Sequence, residues 1–148
     1  MIEKKQKLMV NELETISNIW LDVNIEAHHF IKESYWTENY ISVKESLNKA
    51  IIYLYKQDGN VYAFLGMVDN YIAGIFVDKR FRKKGIGKEL LSTVKKEYKS
   101  LELSVYVKNV PAINFYLSQG FNCVSKELDS ETLEEECKMQ WISSVSYD

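Results

Sequence analysis

Ile75-Phe76-Val77-Asp78-Lys79-Arg80-Phe81-Arg82-Lys83-Lys84-Gly85-Ile86-Gly87-Lys88 joins an apolar run to the start of a helix through a basic turn with two glycines. Gly85 and Gly87 lack a Cβ, so a ligand can come close to the backbone. The first N–H groups of a helix have no intrahelical partner, and the helix dipole adds positive potential there. Six basic side chains surround this point: Lys79, Arg80, Arg82, Lys83, Lys84 and Lys88. Together these features predict a site for a phosphate or pyrophosphate. Two common phosphate loops do not fit. A Walker A loop needs a glycine where Arg82 stands and a hydroxyl where Glu89 stands. A dinucleotide fingerprint needs a third glycine where Leu90 stands, after the first strand of a βαβ unit. The plain alternative is a solvated basic loop in front of an ordinary helix.

Working outward, the hydrophobic period changes several times. Met1–Gln6 reads as a short first strand. Asn11–Val23 carries Leu13, Ile16, Ile19, Trp20 and Val23 at helical spacing. Ala27–Trp36 is rich in aromatics and histidine and has no clear type. Ser42–Lys49 reads as a helix with Ser42 as N-cap and Glu45 completing a capping box. Ala50–Gln57, Val61–Val68 and Tyr71–Val77 read as strands separated by Asp58-Gly59 and Asp69-Asn70, which predicts an antiparallel meander. Lys84–Tyr98 is predicted helical, Leu101–Val107 a strand, and Asn109–Gln119 a helix with Pro111 in its first turn and Gly120 as its stop. Phe121–Leu128 and Glu135–Ser143 read as a closing hairpin. The order predicts a mixed α/β (α+β) domain over residues 1–148, built on one central sheet.

The chain has 148 residues, 46% of them hydrophobic and 27% charged, a globular rather than a disordered composition. No apolar run is long enough for a membrane span. Lysines follow Met1 with no apolar stretch behind them, so a cytoplasmic protein without a signal peptide is expected. Cys123 and Cys137 lack metal-type spacing and read as small buried hydrophobes, and no metal is expected. The net charge of -2 argues against general nucleic-acid binding. The only two arginines, Arg80 and Arg82, both lie in the basic turn.

Arg82-Lys83-Lys84-Gly85-Ile86-Gly87 resembles the R/Q-x-x-G-x-G/A pattern of the GCN5-related N-acetyltransferase (GNAT) superfamily. Downstream, Asn109-x-x-Ala112-x-x-Phe115-Tyr116-x-x-x-Gly120-Phe121 resembles that superfamily's N-x-x-A-x-x-F-Y-x-x-x-G-F segment. The resemblance covers nearly the whole chain. It implies a mixed sheet with splayed fourth and fifth strands and helices on both faces. It also implies acetyl-CoA as co-substrate, with the acetyl group passing to a primary amine by direct attack in a ternary complex. Ile75, Phe76 and Val77 would hold the pantetheine arm through their backbone. The Val77 N–H would polarise the acetyl carbonyl. Arg82, Lys83, Lys84, Gly85, Ile86, Gly87 and Lys88 would cradle the pyrophosphate. Asn109 and Asn114 would contact the cofactor, and Tyr116 would also protonate the departing thiolate. Read without the family, Tyr116 is a core aromatic and Asn109 a helix N-cap.

The superfamily often takes the amine's proton with a glutamate on the fourth strand. Tyr71–Val77 has none. Trp20-x-x-x-Asn24-x-x-Ala27-His28-x-Phe30-Ile31, followed by Tyr35-Trp36, is similar to the N-terminal region of a small bacterial subgroup. Some of that subgroup's members are assigned as peptidyl-lysine acetyltransferases. His28, Tyr35 and Trp36 are therefore the candidate residues for the acceptor, a small-molecule or peptide amine. The acidic residues Glu127, Asp129, Glu131, Glu134, Glu135 and Glu136 read as a solvated hairpin tip. A monomer or homodimer is expected. The missing carboxylate keeps a second reading open, a non-catalytic acyl-CoA-binding sensor on the same fold.

Overall fold

The computed structural model describes residues 1–144. Its elements are β1 (Ile2–Lys5), α1 (Val10–Ala27), α2 (Glu33–Glu38), α3 (Tyr40–Leu47), β2 (Ile51–Gln57), β3 (Asn60–Val68), β4 (Tyr71–Val77), a short 3₁₀ turn (Lys79–Phe81), α4 (Ile86–Lys95), β5 (Ser100–Tyr106), α5 (Val110–Ser118), β6 (Asn122–Leu128) and β7 (Glu135–Ile142). The strands form one sheet in the order β1-β2-β3-β4-β5-β7-β6. Every neighbouring pair is antiparallel except β4 and β5, which run parallel.

The meander forms where the turn residues predict it. Asp58 and Gly59 both have positive φ (53° and 78°), the backbone that tightens a two-residue hairpin. On one face of the sheet, Ile16, Ile19 and Trp20 of α1 pack with Trp36, Leu47, Ile52, Leu54 and Phe64. On the other face, Leu90, Leu91 and Val94 of α4 and Tyr116 of α5 pack with Leu65, Leu101, Leu103, Val105, Cys137 and Met139. Helices thus cover both faces, as the resemblance implies. No helix among the described residues is long and apolar enough to cross a membrane.

Several expectations are corrected. Helix α1 runs one turn beyond Val23, because the buried Asn24 amide donates to the Trp20 carbonyl (2.9 Å) and remains satisfied inside the helix. Part of the unassigned aromatic segment forms α2. Ser42 does not cap α3. The helix starts at Tyr40, whose hydroxyl donates to Asn18 Oδ1 of α1 (2.8 Å), and Ser42 lies inside it, its carbonyl accepting from Ser46. Helix α4 begins at Ile86 rather than Lys84, because Gly85 sits at φ 78° and cannot continue a right-handed helix. It ends before Glu97, whose carboxylate is held by the Tyr53 hydroxyl and by Lys4 (3.2 Å). Cys123 is exposed on the edge strand β6, and only Cys137 is buried.

Candidate active site

The parallel join between β4 and β5 consists of a single register pair, Tyr71 with Glu102. Beyond it the strands separate. The β3–β4 register slips between Gly66 and Met67, so that Gly66 faces Gly74, Met67 faces Ile72, and Ala73 is an extra residue in β4. A cleft of about 270 Å³ opens along this divergence. Its walls include Ala73–Phe76 of β4, Ser104–Tyr106 of β5, Asn109, Ala112 and Tyr116 around α5, Trp20, Asn24 and His28 around α1, Trp36 of α2, and Glu136 of β7.

The Asp78 N–H donates to the Tyr62 carbonyl of β3 (2.8 Å). Because N–H direction alternates along a strand, the Val77 and Ile75 N–H groups point away from β3, toward the open edge. Ile75 and Phe76 line the cleft, whereas the Val77 side chain packs into the core. Gly74 permits the Phe76 ring to fold back over the backbone: a Cβ at position 74 would lie 2.3 Å from Phe76 Cε2. The ring stacks on Phe64, with centroids 5.1 Å apart.

Tyr116 lies in the floor of the cleft, its ring edge-on to Phe115 and Phe121. Burial, with a smaller contribution from Tyr71, pushes its phenol well above the usual tyrosine range. The hydroxyl is therefore a proton donor at neutral pH. Asn109 caps α5, its Oδ1 accepting from the Ala112 N–H (3.4 Å), and its amide Nδ2 faces His28 Nε2 at 3.2 Å. With Oδ1 turned to the helix, Nδ2 is the donor. His28 Nε2 then accepts and the imidazole proton sits on Nδ1. The ring stacks on Trp36 (5.3 Å) and meets Tyr106 edge-on (5.2 Å).

Burial lowers the His28 pKa below its ordinary 6.5. The nearby Asn24 carbonyl opposes this in part, although no Nδ1 hydrogen bond forms. The folded state thus excludes a proton that the unfolded chain accepts near pH 6.5. His28 costs nothing well above that pH, and stability is expected to fall as pH drops through 6.5 toward the lower folded value. Thermal melts from pH 8 to pH 5 should show this loss reduced in His28→Gln relative to the unsubstituted protein.

Apart from Glu12 Oε2, which is ion-paired with Lys56 (2.8 Å), the buried side-chain polar atoms without a hydrogen-bond partner among the described residues are three: His28 Nδ1, Trp36 Nε1 and Ser104 Oγ. All three belong to residues that line this one cleft. Orphaned buried polar groups cost about 1–3 kcal/mol each, and a site that leaves them open fits a polar ligand.

The basic turn lies beyond the C-terminal end of β4, where Lys83 (φ 61°) and Gly85 (φ 78°) both adopt left-handed backbone. Their conformation leads into the free N–H groups at the start of α4. The Ile86 side chain is buried, leaving only its backbone for a ligand. Two of the six basic side chains form ion pairs within the protein, and Lys84 lies over the Phe81 ring (5.0 Å). Arg80 pairs with Asp78 (2.8 Å), and Arg82 pairs with Glu26 of α1. These pairs line a second hollow of about 500 Å³ between α1 and the turn. Lys83, Lys84 and Lys88 are exposed.

The structure does not bring every candidate together. Trp36 and His28 meet in the cleft, but Tyr35 points elsewhere and donates to Glu131 Oε2 (2.7 Å). Asn114 is exposed and does not line the cleft. The hairpin between β6 and β7 is not simply solvated. Tyr106 donates to Asp129 (2.8 Å), Tyr35 to Glu131, and Lys108 pairs with Glu134 (3.0 Å), so the tip docks beside the cleft. This docking brings in Glu136, which the sequence reading assigned to a charged surface. Alternation was the available signal: with Cys137 and Met139 turned into the core, Glu136 must face the other way.

Comparison with known proteins agrees with this architecture. The model of the acetyltransferase (GNAT) family matches residues 13–121. Peptidyl-lysine N-acetyltransferase YiaC of Escherichia coli (strain K12) is 34% identical over 143 residues, covering 95% of this chain and 96% of that protein. The apo-form of YjaB from Escherichia coli superposes with a TM-score of 0.81 at 18% identity, over 97% of this chain and 99% of that one. A putative streptothricin acetyltransferase from Bacillus anthracis, solved with acetyl coenzyme A, gives 0.59 at 24% identity, over 64% of this chain and 63% of that one. The splayed strands, the glycine turn at the head of α4 and the family match converge: the chain belongs to the acetyltransferase (GNAT) family and is an N-acetyltransferase.

Proposed function

We propose that this protein transfers the acetyl group of acetyl-CoA to the primary amine of a peptidyl lysine, by direct attack in a ternary complex. The observation that carries the reading is the cleft between the diverging β4 and β5. There unpaired β4 N–H groups, the Tyr116 hydroxyl and three orphaned polar atoms converge. The peptidyl-lysine acceptor is supported by the similarity to YiaC over nearly the full length of both chains.

When bound, acetyl-CoA supplies an activated thioester. The α4 amides from Gly85 onward, with Lys83, Lys84 and Lys88, hold its pyrophosphate, and Arg82 joins them through its guanidinium edge beside Glu26. The open N–H groups of Ile75 and Val77 bond the pantetheine and stabilise the oxyanion that forms at the carbonyl. Asn109 positions the start of α5. Tyr116 delivers its proton to the departing sulfur.

The test is thiol release from acetyl-CoA with three acceptors: an Nα-blocked lysine peptide, a peptide with only a free N-terminus, and an aminoglycoside. The lysine peptide is expected to give the highest kcat/KM and a 42 Da mass shift, the mass of an added acetyl group. Binding of acetyl-CoA without turnover of any amine would instead support the sensor reading.

A further inference from the structure

We propose that Glu136 receives the proton of the acceptor amine, directly or through one water, and holds the incoming ammonium at the mouth of the cleft. The inference rests on the transferase reading above and assigns its missing base.

Among the described residues that line the cleft, Glu136 is the only carboxylate. It stands opposite Tyr106 in the β5–β7 register. Cys137 and Met139 turn into the core beneath α4, so Glu136 projects to the α1 side of the sheet, as do Ser104 and Tyr106. Trp36, which lines the same cleft at 6% exposure, carries an unpartnered Nε1, and Ser104 Oγ adds a second open group. The cleft thus offers one anion, open polar atoms, and the faces of Trp20, His28, Trp36 and Tyr106. That set matches a cation carried on an apolar stem.

The other candidate base is His28. Its Nε2 already accepts from Asn109 and its proton sits on Nδ1, so it offers the amine no free lone pair. Glu136 has no such engagement. Its cross-strand neighbour Glu127 pairs with Lys138 (3.8 Å), and no ion pair or hydrogen bond of the Glu136 carboxylate occurs among the described residues.

Its position is fixed by the docked hairpin. The Val107 N–H donates to the Glu135 carbonyl (2.9 Å), and Tyr106 binds Asp129. The titratable groups around Glu136 are Asp129 and Glu127 from the hairpin, Lys138 on its own strand, Tyr106 on β5, Tyr35 on α2, and His28 at the end of α1. Burial raises the Glu136 pKa, with Asp129 and Glu127 adding to the rise and Lys138 opposing it. Asp129 can contribute because it stays ionised: burial works against its charge, but the Glu131 N–H and the Tyr106 hydroxyl hold its pKa low. A carboxylate raised in this way is a better proton acceptor near neutral pH than a free one.

In the proposed step, the ammonium first yields a proton to Glu136. The freed nitrogen lone pair then forms the new C–N bond as the thioester C–S bond breaks. The sulfur takes the Tyr116 proton, the second proton on nitrogen leaves to solvent, and both residues re-equilibrate with water.

The test compares Glu136→Gln and Glu136→Asp with the unsubstituted protein, using the Nα-blocked lysine peptide. In Glu136→Gln, kcat/KM for the peptide is expected to fall about 100-fold at neutral pH, and the acidic limb of its pH profile should disappear. The Kd of acetyl-CoA by calorimetry should stay within about twofold, while the peptide's Kd for the enzyme–coenzyme A complex should weaken. Glu136→Asp should keep the acidic limb at a reduced kcat. The proposal is overturned if Glu136→Gln keeps both the limb and a kcat/KM within about threefold, or if Glu136→Asp loses the limb. In either case the transferase reading stands. If the unsubstituted protein binds acetyl-CoA but releases no thiol with any amine, both readings fall together.

Discussion

Tyr116→Phe is expected to lower kcat by about two to three orders of magnitude while the Kd of acetyl-CoA changes less than about threefold. The substitution deletes one oxygen. The ring remains packed between Phe115 and Phe121, and the surrounding core, with Phe121 and Leu91 almost fully buried, is undisturbed. The phenol's pKa is raised mainly by burial, so the hydroxyl keeps its proton at neutral pH and can serve the proposed role of donor to the thiolate. Without that proton the sulfur must leave as an unneutralised anion beside a buried ring, where charge is costly. Steady-state thiol release, calorimetry and a thermal melt check the three parts. A kcat within about threefold of the unsubstituted enzyme would falsify the assignment, and a large fall in melting temperature would recast Tyr116 as a packing residue.

The second large effect is expected at the basic turn. Gly85 holds φ 78° immediately before α4, and space around it is open, so a Cβ meets no neighbour. Gly85→Val therefore tests conformation without a clash. A β-branched residue in this region is strained by about 1–3 kcal/mol. If the turn keeps its shape, the fold loses that amount. If it relaxes instead, the α4 amides are no longer presented, and the cost falls on acetyl-CoA binding as a Kd weakened roughly 5- to 150-fold. Melting and calorimetry on the same variant should together recover the full strain. An unchanged melt together with an unchanged Kd would show that this backbone does not form the pyrophosphate site.

Local signals carried most of the fold. The Asp-Gly and Asp-Asn turns, the alternation of Ile51–Val77 and the Pro111–Gly120 bracket around α5 each depend on neighbours within a few residues, and each forms as predicted. The failures came where distant contacts overrule local preference. Ser42 and Glu45 spell a capping box, yet α3 starts two residues earlier because Tyr40 is anchored to α1. Tyr35 and Trp36 are adjacent, and only one can face the cleft. The other is drawn outward by Glu131, nearly a hundred residues away in the chain. Arg82 belongs to the basic turn expected to cradle a pyrophosphate, and Glu26 of α1, 56 residues away, lies against it. Glu136 was hidden by composition, since it sits among five other acidic residues and only the strand register separates its direction from theirs.

The single pair joining β4 to β5 bears on cooperativity. Strands β1 to β4 are linked by long antiparallel ladders broken only by local register shifts, and so are β5, β7 and β6, but one rung connects the two halves. Backbone bonding alone would let these halves open and close as separate exchange units, leaving the α4 core to couple them. Amides flanking Tyr71 and Glu102 should therefore exchange with deuterium ahead of those in the ladders on either side. A ligand arm lying along the open edge of β4 would act as the missing rungs. Substrate capture and the stiffening of the whole sheet would then be the same event, with protection rising far from the thioester.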